Sequence, residues 1–67
     1  MLLTINGENR HVPQEVDNIE KLLRHLNIQR KILIIQHNDQ IVSPENYASA
    51  ILREGDRIEL IHFVGGG

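Results

Sequence analysis

Only one stretch of the chain repeats its apolar residues at the helical period. Ile19, Leu22, Leu23 and Leu26 fall at i, i+3, i+4 and i+7, the pattern of a single buried helix face. Lys21, Arg24 and His25 lie on the opposite face or its flanks. Asp17-Asn18-Ile19-Glu20 reads as a capping box, with Asp17 accepting from the third helical amide and Glu20 reaching back. Asn27 supplies a left-handed stop. The spacing therefore predicts one helix of about ten residues, and no second one of that length. A lone helix must bury its apolar stripe against something else, and the remaining segments are patterned as strands.

Leu3 and Ile5 alternate with Leu2 and Thr4, after which Asn6-Gly7 suits the two positive-φ positions of a tight hairpin. A return strand follows over Glu8 to Val12, and Pro13, which lacks a backbone donor, marks an edge or the strand's end. Ile32-Leu33-Ile34-Ile35 is a continuous apolar run, as in a strand buried on both faces. Asn38-Asp39 is a second turn and Ile41-Val42 a short return strand. Ser43-Pro44-Glu45 reads as a helical turn, with Ser43 as cap and Pro44 at its first position. After the turn Glu54-Gly55-Asp56 a last strand runs from Arg57 to Val64, with Ile58 and Leu60 facing a core and Arg57 and Glu59 facing water. At Ile61 this alternation breaks and the outer face turns apolar. The order of elements predicts an α+β domain, one main helix packed on a mixed four- to five-stranded sheet.

Size and residue usage narrow the function. A chain of 67 residues buries only about 60% of the surface its unfolded form exposes. Little is left for a deep substrate pocket, which needs roughly 300 Å³ or more, and this argues against a self-contained catalyst. The formal net charge is −2, Lys and Arg are scattered, and Tyr47 and Phe63 are the only aromatics; nucleic-acid binding has neither its basic stripe nor its stacking platform. The absence of cysteine excludes disulfides, zinc–thiolate sites and thiol catalysis, and favours a reducing, cytoplasmic location. No apolar stretch is long enough to span a membrane, and the residues after Met1 lack the features of a signal peptide. His11, His25, His37 and His62 share no short metal-ligand spacing, though His37 and His62 could meet across adjacent strands; no metal is expected. Glu54, Asp56 and Glu59 read as solvated charges, or as an acidic rim for a partner's Lys and Arg.

The end of the chain needs a different explanation. Gly65-Gly66-Gly67 follows the last strand directly, yet glycine costs backbone entropy and adds no packing, so folding does not ask for it. Three residues reach about 10 Å at full stretch, and without Cβ atoms they can thread a slot too narrow for any other residue. The division expected is a folded domain over residues 1–64 and a mobile tail over 65–67. Gly65 and Gly66 would thread, and Gly67 would present its carboxylate in another protein's active site. Ile61, Phe63 and Val64 form an apolar group just before the tail, more than a wet face should carry, and are expected to dock the partner.

At this point a resemblance becomes specific. Asn38-Asp39-Gln40-Ile41-Val42, the stretch Leu52 to Leu60 with its Gly55-Asp56-Arg57-Ile58 element, and Val64-Gly65-Gly66-Gly67 resemble the ThiS family of thiamine-biosynthesis sulfur carriers. Asn6-Gly7-Glu8 and the helix Ile19 to Leu26 fit the same pattern, so the likeness runs over essentially the whole chain. The Gly-Asp-Arg-Ile element alone is shared by many ubiquitin-like proteins; joined to the terminal Val-Gly-Gly-Gly it is much more specific. Two positions depart from the family: Tyr47 stands where members often have Trp, and Pro44 falls one residue later than their usual Val-Pro.

The resemblance implies a β-grasp, ubiquitin-like fold whose first and last strands lie side by side. It implies a carrier, not an enzyme, that binds no cofactor of its own. A ThiF-type, E1-like enzyme would use ATP and magnesium to adenylate the Gly67 carboxylate. A persulfide sulfur, from a donor such as a cysteine desulfurase, would displace AMP and leave a thiocarboxylate. A ThiG-type thiazole synthase would take that sulfur for the thiazole ring of thiamine. Three alternatives stay open: a carrier like the small subunit of molybdopterin synthase, a ubiquitin-like modifier of proteins, and a β-grasp interaction module with an inert tail.

Overall fold

A computed structural model describes residues 1–28 and 33–62. Strand β1 (Leu2–Ile5) and strand β2 (Glu8–His11) form a hairpin, followed by helix α1 (Ile19–His25). Strands β3 (Leu33–His37) and β4 (Gln40–Val42) form a second hairpin, and a 3₁₀ turn (Pro44–Asn46) precedes the last strand, β5 (Arg57–His62). The sheet order is β2-β1-β5-β3-β4, with β5 parallel to β1 and antiparallel to β3. First and last strands are thus neighbours, as expected, and β5 occupies the centre. The part of the last strand expected at Phe63 and Val64, and the boundary expected between residues 64 and 65, lie outside the described residues.

Both hairpins turn on two residues at positive φ: Asn6 at 50° and Gly7 at 82°, then Asn38 at 49° and Asp39 at 72°. That backbone hand matches the right-handed twist of the flanking strands, and short polar side chains tolerate it. Pro13 follows β2, which is an edge strand of the sheet.

Helix α1 is shorter than expected, at seven residues, because both ends are tied early. Its N-cap is Asn18, not Asp17: the Asn18 side chain accepts from the Lys21 amide at 2.7 Å. Glu20 then falls one position too early to close a capping box. Asp17 instead pairs with the Lys21 ammonium at 3.0 Å. The start is set by a long-range contact, since the Ile19 and Glu20 amides donate to the carbonyls of Ala50 and Tyr47 at 3.1 and 3.2 Å. At the other end Asn27 has φ 57°. The Asn27 and Ile28 amides donate to Arg24 and Leu23 carbonyls at 3.1 and 2.9 Å, a Schellman arrangement that stops the helix.

The core lies between α1 and one face of the sheet. Leu3, Ile5, Ile35 and Ile58 from the strands meet Ile19, Leu22 and Leu23 from the helix, with Val12, Val16, Tyr47 and Leu52 closing the sides. Tyr47, at the family's departing position, is fully buried at the end of the 3₁₀ turn. Ser43 occupies that turn's N-cap position without a side-chain capping bond. Strand β3 is not buried on both faces as its apolar run suggested. Ile35 is fully buried, but Ile34 points to the other face and is only half-buried, because one helix covers one face and the described chain lays nothing over the other.

Candidate functional site

Strand β5 carries the chain toward the glycines. It is anchored at its start on both sides: Thr4 and Asn6 amides donate to Asp56 and Ile58 carbonyls at 2.9 Å each, and the Asn38 amide donates to the Arg57 carbonyl at 2.8 Å. Gly65, Gly66 and Gly67, expected to thread and to carry the chemistry, lie outside the described residues, as do Phe63 and Val64 of the expected docking group. Ile61 is described, and it is where the sequence put it: on the sheet face opposite the helix, 41% exposed.

Register shows what surrounds Ile61. Directly across β3 is Ile34, and one step along, Glu59 faces Gln36, which faces Ile41 on β4. Ile41 is 69% exposed. At the other end of this face Thr4 and Arg57 are opposite each other, and the Thr4 hydroxyl donates to the Asn9 side chain at 3.1 Å. The outer face therefore grades from polar at the start of β5 to apolar at its end. The apolar end is the one from which the tail departs.

Asp56 corrects the expectation of a solvated acidic cluster. Its carboxylate accepts from His37 Nε2 at 2.7 Å, from Asn38 Nδ2 at 3.1 Å and from the Arg53 amide at 2.9 Å. Asn38 Oδ1 in turn accepts from the Arg57 amide at 2.9 Å, so one carboxylate ties the β3–β4 turn to the start of β5. Burial by itself raises this carboxyl's pKa. The hydrogen bonds from His37, the Arg53 amide and Asn38, with the His37 charge, outweigh it and hold the group below its ordinary value. The local half of this arrangement spans only three residues, from the Arg53 amide to the Asp56 carboxylate around the Glu54-Gly55 turn that the sequence marked. The His37 half depends on register, which nothing in the sequence marked. Glu54 is likewise engaged, accepting from the Leu2 amide at 3.1 Å.

The pairing considered between His37 and His62 does not form. His37 lies opposite Ile58 and His62 opposite Leu33, at the two ends of the β3–β5 ladder. Among the described residues no group of three or more His, Cys, Asp or Glu is placed to hold a metal ion. An open depression of about 380 Å³ lies between the end of α1 and the first hairpin, with Glu8, Arg10, His25, Leu26 and Leu60 in its lining. Its volume is larger than expected of so short a chain, but it is partly open and the side chains of Glu8, Arg10 and His25 in its lining are exposed. No helix among the described residues is long and apolar enough to cross a membrane.

Comparison with known proteins agrees with this architecture. The ThiS family model matches residues 3–67. The sulfur carrier protein ThiS of Bacillus subtilis is 35% identical over 66 residues, covering 98% of this chain and 100% of its own. Thiazole synthase of Paramagnetospirillum magneticum is 34% identical over 67 residues; this chain spans 20% of that longer protein. The crystal structure of the thiamine biosynthesis protein ThiS from Geobacter metallireducens superposes with a TM-score of 0.86 at 29% identity, over 100% of both chains. The β-grasp fold and the resemblance read from the sequence are thereby established: this chain belongs to the ThiS family.

Proposed function

We propose that this chain is a sulfur carrier for thiazole formation in thiamine biosynthesis, and that the carbonyl carbon of Gly67 is the atom that carries the sulfur. The observation that carries this reading is the match to the Bacillus subtilis carrier along the whole of that protein. Strand β5 supports it, since it leads the chain toward the glycines from the apolar end of a sheet face that no other described element covers.

The chemistry follows from what a carboxylate lacks. It is a poor electrophile until one oxygen becomes a good leaving group. An E1-like partner with ATP and magnesium supplies this: the carboxylate oxygen attacks the α-phosphorus, pyrophosphate leaves, and a mixed anhydride with AMP forms. The terminal sulfur of a persulfide then attacks the acyl carbon and AMP departs. A thiol cleaves the resulting acyl disulfide, leaving sulfur on the glycine carbonyl as a nucleophilic thiocarboxylate. The carrier contributes position, through Ile61 with Phe63 and Val64 as the docking group and Gly65 and Gly66 as the threading segment; the partners contribute catalysis. Similarity to thiazole synthases supports an enzyme of that kind as the sulfur acceptor.

Intact-mass analysis tests the reading. After incubation with ATP, magnesium, a persulfide donor and an E1-like enzyme, the chain should gain the mass difference between sulfur and oxygen, located at Gly67. The modified chain should then support thiazole formation by a thiazole synthase. An unmodified mass, or a modification on any other residue, overturns the proposal.

A further inference from the structure

Strand β5 is held unequally on its two sides. On one side β3 accompanies it from Ile58 to His62. On the other, β1 pairs only with Arg57 and Ile58 before the Asn6-Gly7 turn carries the chain away. Past that point one group from the first hairpin still reaches β5. Asn6 Oδ1 accepts from the Leu60 amide at 2.8 Å, across 54 residues of sequence. The backbone amide of the same residue donates to the Ile58 carbonyl at 2.9 Å. Turn geometry accounts for Asn6 having φ 50°, but glycine would make that turn as well. It does not account for the side chain's destination. Asn6 Oδ1 stands where a carbonyl of β1 would stand had the strand continued straight.

We propose that Asn6 is a positioning residue for the sulfur-carrier reaction: by clamping Leu60 it fixes the heading of the end of β5, and so the point from which the chain sets out to bring Gly67 into the adenylating site. The inference rests on the carrier reading above. From Leu60 to His62, where the described strand ends, is about 7 Å of extended chain, so a tilt of about 10° at the clamp displaces the root of the tail by about 1 Å. Reactive groups misplaced by about 1 Å can already cost two orders of magnitude in rate.

Two substitutions separate the clamp from the turn. Asn6→Gly keeps the positive-φ turn and removes the acceptor, while Asn6→Asp keeps both. The full chain and both variants are compared by ATP–pyrophosphate exchange with an E1-like adenylating enzyme that activates a ThiS-family carrier. The temperature is one at which far-UV circular dichroism shows all three folded. Asn6→Gly should lower kcat by about tenfold or more while KM moves less than about threefold, and Asn6→Asp should restore kcat to within about threefold. Hydrogen exchange should show protection lost at the Leu60 amide in Asn6→Gly and kept at Thr4. Wild-type kcat in Asn6→Gly, unchanged Leu60 protection, or failure of Asn6→Asp to restore the rate each overturns the clamp and leaves the carrier reading standing. Absence of exchange with the unsubstituted chain overturns the carrier reading and the clamp together.

Discussion

Ile58 and Ile61 are three residues apart on β5, yet one is 0% exposed and the other 41% exposed. Cutting each back to alanine removes the same atoms from two different surroundings. At Ile58 they come out of the contact between sheet and helix, where the cavity left behind adds to the lost transfer energy, and the expected cost is about 2–5 kcal/mol. A domain of this size has roughly 3–10 kcal/mol in all, so Ile58→Ala should leave it marginal or unfolded. At Ile61 the truncated site opens to water and creates no cavity. Three methyl or methylene groups at about 0.8 kcal/mol each, reduced for the part already exposed, give about 1–1.5 kcal/mol. The melting temperature should fall by about 5–10 °C. Binding to the E1-like enzyme should weaken by about tenfold if Ile61 is a docking residue, the loss expected of a moderately important contact. Urea unfolding followed by circular dichroism gives the first quantity, and calorimetric titration with the partner gives the second. Equal destabilisation by the two substitutions, with affinity unchanged in Ile61→Ala, would make Ile61 ordinary core and refute the docking assignment.

Three further outcomes are expected. Deleting Gly67 moves the terminal carboxylate back by about 3.5 Å; the protein should melt at the wild-type temperature and fail to exchange pyrophosphate, and near-normal exchange would remove the tail from the mechanism. Asp56, whose folded pKa lies below its ordinary value, contributes stability that is fully present above the unfolded carboxylate's pKa of about 3.9 and is lost as pH falls through the lower folded value. Asp56→Asn should therefore melt below wild type at neutral pH, with the gap closing at pH values under about 4; a gap independent of pH would deny the carboxylate its part in the network. Gly55 has φ 84° and open space where a Cβ would stand, so Gly55→Ala should cost about 1 kcal/mol or slightly more from backbone strain alone, and an unchanged urea midpoint would show that the turn relaxes.

Much of this molecule was settled locally. The two hairpin turns follow from residues that tolerate positive φ, the helical face from spacing at the 3.6 period, and its stop from Asn27. Alternation at Ile58 to Leu60, and its failure at Ile61, already separated the two faces of β5. The glycines were legible as a candidate site because their residue type is wrong for folding, and the family pattern assigned them a task. What only the tertiary structure decided involves residues far apart in the chain. Asn18 rather than Asp17 caps α1 because the segment around Ala50 pairs with the helix entrance. Ile34, apolar enough for a core, stays half-buried because the helix occupies the other face. Asp56 reads as a surface charge until register brings His37 to within 2.7 Å. Asn6 reads as a turn residue until β5 is laid beside β1 and its side chain meets Leu60. Propensity and periodicity are properties of neighbouring residues and can be read along the chain. Register, coverage of a face and long-range hydrogen bonds are set by how distant segments pack, and they exist only once the sheet has closed.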